Sequence, residues 1–337
     1  MKNRHLKFFF FTAGMLLFIL VSGLLVLQQQ YKPVTAAEQE HILINIPAQS
    51  SASEIGKLLK KENLIRSELA FKIYLRQTSQ AEKLLSGHYE FTRSQSIPEI
   101  VQQITQGQTS NQSFTIPEGF TIEKIGRLLV DKGIISSYSL WEQALHEKYD
   151  YSFLPAPDPE QLTPLEGYLF PDTYSVPKDS SAGDIINMML ANFGRKWTAL
   201  FADEALSKDM SIEKTIIIAS MIEREAQKAE ERRLISGVIK NRLDDNMLLQ
   251  ICATVLYCTN QEKTVLTYQD LETDSPYNTY KYSGLPPGPI SCPGSASIKA
   301  ALEPSPHDYY FYVAKGDGSH YFSKTYQEHL EATDLYQ

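Results

Sequence analysis

At 337 residues, with a formal net charge of −8, 42% hydrophobic and 21% charged residues, the chain can hold more than one small domain and is too apolar for a disordered polymer. Nucleic acid is excluded as a partner, because binding phosphates needs a basic face and no long basic run offsets the acidic balance. The 19 Tyr and 15 Phe supply ring surface for a core or a sugar groove.

Phe8 to Leu27 is a run of twenty residues without a charge, the length that crosses a hydrocarbon layer ~30 Å thick. Lys2, Arg4 and Lys7 precede it. The positive-inside rule then assigns residues 1–7 to the cytoplasm, 8–27 to a single transmembrane helix, 28–40 to a linker and the rest to the outer face. The competing expectation is a cleaved signal peptide, with Thr35-Ala36-Ala37 as the small-residue site.

Ile46 to Phe71 aligns without gaps, at an offset of 70 residues, with Ile116 to Trp141, and eight positions are identical. In each copy an Ile-Pro strand end leads through a polar turn into a short amphipathic helix, with apolar residues at 55, 58 and 59 or 125, 128 and 129. A second apolar pair follows, Leu64-Ile65 or Ile134-Ile135. This reads as a duplicated small module. After the first copy, Leu85 to Phe91 alternates like a strand, and Ile97-Pro98 opens a short helix ending near Gly107. The polar stretch Gln106 to Ser113 marks a boundary between a small α+β module, 41–110, and a larger α+β domain, 111–337.

Four prolines between Pro155 and Pro164 make that segment extended. Helices are expected over Ile185–Leu200, over Lys208–Ala229 with Ser211 as N-cap, and over Leu234–Leu243. Leu285-Pro-Pro-Gly-Pro289 is a stiff loop, and Tyr309–Ala314 with Ser319–Ser323 form a closing β-hairpin. Cys252, Cys258 and Cys292 leave at least one thiol unpaired; buried thiols and a bridge both stay open, and no CxxC or His spacing suggests zinc. His307, His320 and His329 lack metal-ligand spacing and are assigned to surface or packing.

Two carboxyls end the most apolar helix, Glu223 and Glu225. With Ile218 at zero and 100° per residue, Ile222 falls at about 40°, Met221 at about 300°, Glu225 at about 340° and Glu223 at about 140°. Glu225 thus projects from the apolar stripe, where desolvation raises a carboxyl pKa and suits it to general acid work. The alternative is an ion pair with Arg232, Arg233 or Arg242, and Glu223 is not excluded, since Ile216 at about 160° shows the helix start buried all round. Leu165-Glu-Gly-Tyr-Leu-Phe-Pro-Asp-Thr-Tyr174 combines rings and carboxylates that suit sugars, or a core strand and turn. Ser275-Pro-Tyr-Asn-Thr-Tyr280 and Gly284–Pro289 suit the wall of a cleft, or a structural loop.

These segments, with Ile218-Ala-Ser-Met-Ile-Glu-Arg-Glu225 and Val238-Ile-Lys-Asn-Arg-Leu243, occur in the order seen in the endolytic murein transglycosylases of the YceG-like (MltG) family, which the chain resembles from about residue 41 to its end. The resemblance implies a LysM-like module after the membrane helix, then a catalytic domain with one essential glutamate. By motif position that glutamate is Glu225. Residues expected to hold the glycan are Glu166, Tyr168, Ser220, Gln250, Thr254, Tyr277, Asn278 and Tyr280. Where many members read Gln-x-Asp-Pro-Thr-Val, this chain has Gln250-Ile-Cys-Ala-Thr-Val255, so no role of that Asp carries over. Cys252 in that slot and Cys292 could form a bridge across the site.

The implied reaction cleaves the MurNAc–GlcNAc bond within strands to leave 1,6-anhydroMurNAc ends, with no metal or organic cofactor. The implied partners are peptidoglycan glycan strands, the cytoplasmic membrane and cell-wall synthases (penicillin-binding proteins). Two readings compete with it, a non-catalytic glycan-binding protein and a hydrolase using Glu166 or Asp172 as a second carboxylate.

Overall fold

A computed structural model describes residues 2–35, 40–156, 158–163, 165–259 and 266–336, with only the backbone given for 2–13 and 16. The chain forms two units, Met1–Gln112 and Ser113–Gln337.

The first unit begins with helix α1 (Lys2–Tyr31). Among the described residues no helix is long and apolar enough to cross a membrane, which corrects the expected transmembrane helix. Of the run Phe8–Leu27, the side chains before Gly14 and that of Leu16 lie outside the described residues. The described part is interrupted by Gly14, Ser22 and Gly23, which lower its apolarity. The far end of α1 packs on its own unit. Leu27 and Tyr31 lie against that unit's core, the Tyr31 ring stands edge-on to Tyr74 at 5.3 Å, and Tyr31 Oη donates to Gln77 Oε1 at 3.1 Å. Ala36 and Ala37 of the expected cleavage site lie outside the described residues.

Strand β1 (Ile42–Ile46) is followed by α2 (Ala52–Lys61), α3 (Glu68–Gln77), β2 (Gly87–Phe91) and α4 (Ile97–Thr105). β1 pairs antiparallel with β2, Ile44 opposite Tyr89 and Ile46 opposite Gly87. The alternation sends Ile44, Ile46, Tyr89 and Phe91 into a core shared with Ile55, Leu59, Phe71, Leu75, Ile100 and Ile104. Each such side chain contributes about 1.5–3 kcal/mol when withdrawn from water. Reciprocal capping boxes, Ser51 with Glu54 and Ser96 with Glu99, fix the starts of α2 and α4.

The second unit contains β3 (Asn111–Thr115, which begins at the boundary), α5 (Ile122–Asp131), α6 (Tyr138–Leu145), β4 (Thr173–Pro177), α7 (Ala182–Leu200), α8 (Ala202–Ser207), α9 (Ile212–Glu225), α10 (Arg232–Asp244), α11 (Cys252–Cys258), α12 (Tyr268–Leu271), α13 (Ser295–Leu302), β5 (Phe311–Ala314), β6 (His320–Ser323) and α14 (Tyr326–Tyr336). β3 pairs with β4, and β5 with β6 antiparallel. Phe193, Trp197 and Phe201, spaced by four, run as adjacent rings along α7 and its C-cap with centroids 6.3 and 6.0 Å apart. Of the four prolines between 155 and 164, Pro157 and Pro164 lie outside the described residues.

The duplication is visible in the backbone. Gln49 and Gly119 both have positive φ (64° and 76°), as do Asn63 and Gly133 (56° and 67°), each pair 70 residues apart. Gly56 and Gly126 repeat at the same offset, and in each copy a ring from the second helix, Phe71 or Trp141, packs close against the glycine.

Helix α9 positions the site. Ser211 caps it, accepting from Lys214 N at 3.1 Å, and residues Thr215 to Ile222 are buried without interruption. The helix stops at Glu225, because Ala226 is extended (φ −78°, ψ 115°), four residues short of the expected end at Ala229. α9 packs chiefly on α13, with α10 and α11 also against it.

Candidate active site

Glu225 is the last residue of α9, at the end of the helix where unpaired carbonyls disfavour a negative charge. Its carboxyl accepts from Tyr312 Oη of β5 at 3.2 Å and from the Ala253 N–H in the first turn of α11. Burial pushes its pKa up, against the opposing pull of those two donors and of His320 and Arg224. The side chain is only half-buried, so it is crowded by protein yet reachable by solvent.

The expected alternative, an ion pair, is not what the structure shows. Arg232 pairs with Glu223 at 3.7 Å and Arg233 with Glu303 at 3.6 Å. Arg242 donates to the carbonyls of Tyr310, Leu248 and Leu249.

Gln250 and Tyr280 share the region of Glu225. Cys252 Sγ lies 3.0 Å from Tyr280 Oη, and Glu225 acts electrostatically on both. Gln250 is exposed, has a positive φ of 51°, donates its N–H to Thr279 O at 3.0 Å, and accepts from Arg242 Nη1 at 3.3 Å. Beneath them, Thr254 Oγ1 meets Thr279 Oγ1 at 3.0 Å, and Asn278 Nδ2 donates to the carbonyls of Leu271 and Thr273 at 2.8 Å. Both side chains are buried and shape the loop that carries Tyr280.

The other expected site residues lie in the interior. Ser220 Oγ accepts from Ile290 N at 3.0 Å and donates to Ile217 O, fastening the proline-rich loop to α9. Tyr168 packs its ring between Phe153 and Phe193, in the core and not on a groove wall. Tyr277 packs on Tyr257 with centroids 5.2 Å apart. Glu166, 3% exposed, accepts from Ile122 N (3.2 Å), Tyr257 Oη (3.2 Å) and Gly167 N, with Cys292 Sγ at 3.9 Å. Burial raises its pKa to about 8. None of these partners belongs to the set around Glu225. Asp172 is likewise engaged elsewhere, with Asn192 at 3.1 Å and Lys196 at 3.6 Å.

All three cysteines are free. The expected bridge is therefore corrected: Cys252 is exposed beside Tyr280, whereas Cys292 is buried against Glu166.

Tyr312, His320, Glu231 and the Ala253 amide were not legible as site groups. The hairpin was, but not the partner to which it delivers Tyr312, 87 residues from Glu225.

The YceG-like family model matches residues 44–334. The chain belongs to the YceG-like family. It is 36% identical over 320 residues to a protein named endolytic murein transglycosylase from Bacillus subtilis, covering 90% of this chain and 87% of that one. A Streptococcus pneumoniae protein of the same name is 29% identical over 324 residues, and the match spans 88% of this chain but 58% of the pneumococcal one. The crystal structure of a YceG-like protein from Listeria monocytogenes superposes with a TM-score of 0.60 at 33% identity, covering 88% of this chain and 100% of that one.

Proposed function

We propose that this YceG-like chain is an endolytic peptidoglycan lytic transglycosylase with Glu225 as its single catalytic carboxyl. The observation that carries the reading is the Glu225 carboxyl itself, held by two donors, biased by burial toward the protonated form and, among the described residues, without an arginine in ion-pair contact. The names of the relatives supply the substrate, murein.

In the proposed reaction, Glu225 gives its proton to the glycosidic oxygen between MurNAc and GlcNAc as the bond from C1 breaks. The resulting carboxylate takes the proton of the MurNAc C6 hydroxyl while that oxygen closes on C1. A 1,6-anhydro ring forms, the glutamate ends protonated as it began, and no water is consumed. Proton transfer of this kind is worth on the order of 10²–10⁴-fold.

A hydrolase with a second carboxylate is less well supported, since Glu166 and Asp172 are each committed to other partners. Gln250 and Tyr280 are the proposed glycan contacts at the surface, with Thr254 and Asn278 supporting them from below. The first unit, over 41–110, is read as a LysM-like glycan-binding module and 111–337 as the catalytic domain. The first unit presents a groove of ≈ 370 Å³ lined by Ile46 to Ser50, Glu54, Ile55 and Leu58. The catalytic domain is read as acting at the cell wall, on the outer side of the cytoplasmic membrane, where cutting within new strands would limit their length beside the penicillin-binding synthases.

Digestion of purified sacculi tests the reading: anhydro-ended fragments support it, reducing ends favour the hydrolase, and binding without fragments favours a non-catalytic protein.

A further inference from the structure

The site contains a device that the single-glutamate reaction leaves unused. Tyr312 lies on β5, opposite Phe322 of β6, and its ring meets the His320 ring edge-on at 5.3 Å and 84°. His320 is in turn gripped by both oxygens of Glu231: its backbone N–H reaches Oε1 at 2.9 Å and ring Nδ1 lies 2.7 Å from Oε2. Both side chains are 9% exposed. Glu231 immediately precedes α10, in the connection that leaves α9, so this clasp ties the hairpin to the connection following Glu225 without using Glu225 itself.

We propose that Tyr312, set in place by the Glu231–His320 clasp, is the positioning residue of the Glu225 carboxyl, fixing by its hydroxyl bond to Oε2 how that carboxyl meets the scissile bond. The inference rests on the reading of Glu225 as acid and then base. One carboxyl must serve two atoms, the glycosidic oxygen and then the C6 hydroxyl, and free rotation would spread its oxygens over many directions. A donor on one oxygen removes that freedom. A hydrogen bond to an ionised group is also stronger than one to a neutral group. The Tyr312 bond therefore tightens as Glu225 gives up its proton, a gain made during the reaction and not on binding.

The other groups facing Glu225 are Arg224 on its own helix, the Ala253 amide and Cys252 on α11, Tyr280 in the adjoining loop and His320 on β6. Arg242 of α10 acts on Tyr312 and Tyr280. The Tyr312 bond favours the carboxylate, opposing burial. Its removal lets the Glu225 pKa rise further, and the alkaline limb of activity, where the acid loses its proton, moves to higher pH.

The test is Tyr312→Phe in the full chain, which keeps the ring, assayed for anhydro-end release from soluble uncrosslinked glycan strands across about pH 5–9. The inference expects kcat to fall about 10- to 100-fold, KM to change little, and the alkaline limb to move up. His320→Phe, which removes the ring contact to Glu231 Oε2 and leaves the backbone one, moves kcat in the same direction by a smaller factor. Wild-type kcat in Tyr312→Phe, a loss confined to KM, or an unmoved limb each overturns it. Glu225→Gln assayed alongside separates the failures. If Glu225→Gln is inactive while Tyr312→Phe behaves as wild type, only the positioning role is lost; if Glu225→Gln is fully active, the catalytic reading fails and takes this one with it.

Discussion

Glu223 and Glu225 stand two residues apart at the end of α9 and are committed to different partners. Glu223 accepts the Gly294 N–H at the start of α13 at 2.9 Å and pairs with Arg232 at 3.7 Å, a structural bond between two packed helices. Glu225 instead holds Tyr312 and the Ala253 amide beside a solvent-reachable surface. Substitution separates them. Glu223→Gln should keep the activity of each folded molecule close to wild type and cost roughly 1–3 kcal/mol in denaturant unfolding. Glu225→Gln should lose at least about 10²-fold in activity. It should melt no lower than wild type, since it removes a carboxyl whose ionisation burial opposes.

Glu166 makes stability depend on pH. Its folded-state pKa of about 8 lies above its ordinary value of 4.5. The folded protein therefore binds the extra proton between those values, and the stability this contributes is full below pH 4.5 and lost as pH rises through about 8. The fall should be on the order of a few kcal/mol. Glu166→Gln should flatten the slope of melting temperature against pH across that window. An unchanged slope would show that Glu166 is ionised throughout.

Gly126 should be the less tolerant of the two repeated glycines. A side-chain carbon there would fall inside the Trp141 indole, whereas at Gly56 the nearest atoms, Glu68 Cγ and Phe71 Cδ1, are at 3.1 Å. Gly126→Ala should cost about 1–3 kcal/mol for the forced repacking, while Gly56→Ala should fall close to neutral, helped by the better helix propensity of Ala. Both tryptophans, Trp141 and Trp197, lie in the second unit, so their fluorescence follows the unfolding of that unit.

Much of this architecture is legible in the sequence because it rests on local rules. The Ser211 cap and the closing hairpin each follow from spacing within a few residues, and each copy of the repeat carries its own local pattern of strand end, turn and amphipathic helix. The site is less legible. Tyr168 and Tyr277 resemble groove residues in sequence, since a core ring and a wall ring use the same side chain, and only packing shows them inside. Tyr312 and His320 lie 87 and 89 residues from Glu225 and Glu231, and no local pattern says which helix end the hairpin will meet. The anchor was a misleading local signal: charge-free length suggested a span that the described helix does not provide.

Cys252 supplies a chemical probe of the site. It is exposed and bonded to Tyr280, while Cys292 is buried and burial pushes the Cys252 thiol pKa up. Maleimide should react with Cys252 slowly at neutral pH and faster as pH rises. The adduct should block glycan cleavage, and Cys252→Ser should make activity resistant. Activity that survives complete labelling of Cys252 would place the substrate elsewhere.

The most direct test of the central claim is mass spectrometry of the fragments released from purified sacculi in heavy-oxygen water, by wild type and by Glu225→Gln. With Glu225 as the single acid and base, wild type should release 1,6-anhydroMurNAc ends without incorporated heavy oxygen, and the variant none. Reducing ends carrying heavy oxygen, or undiminished release by Glu225→Gln, would contradict it.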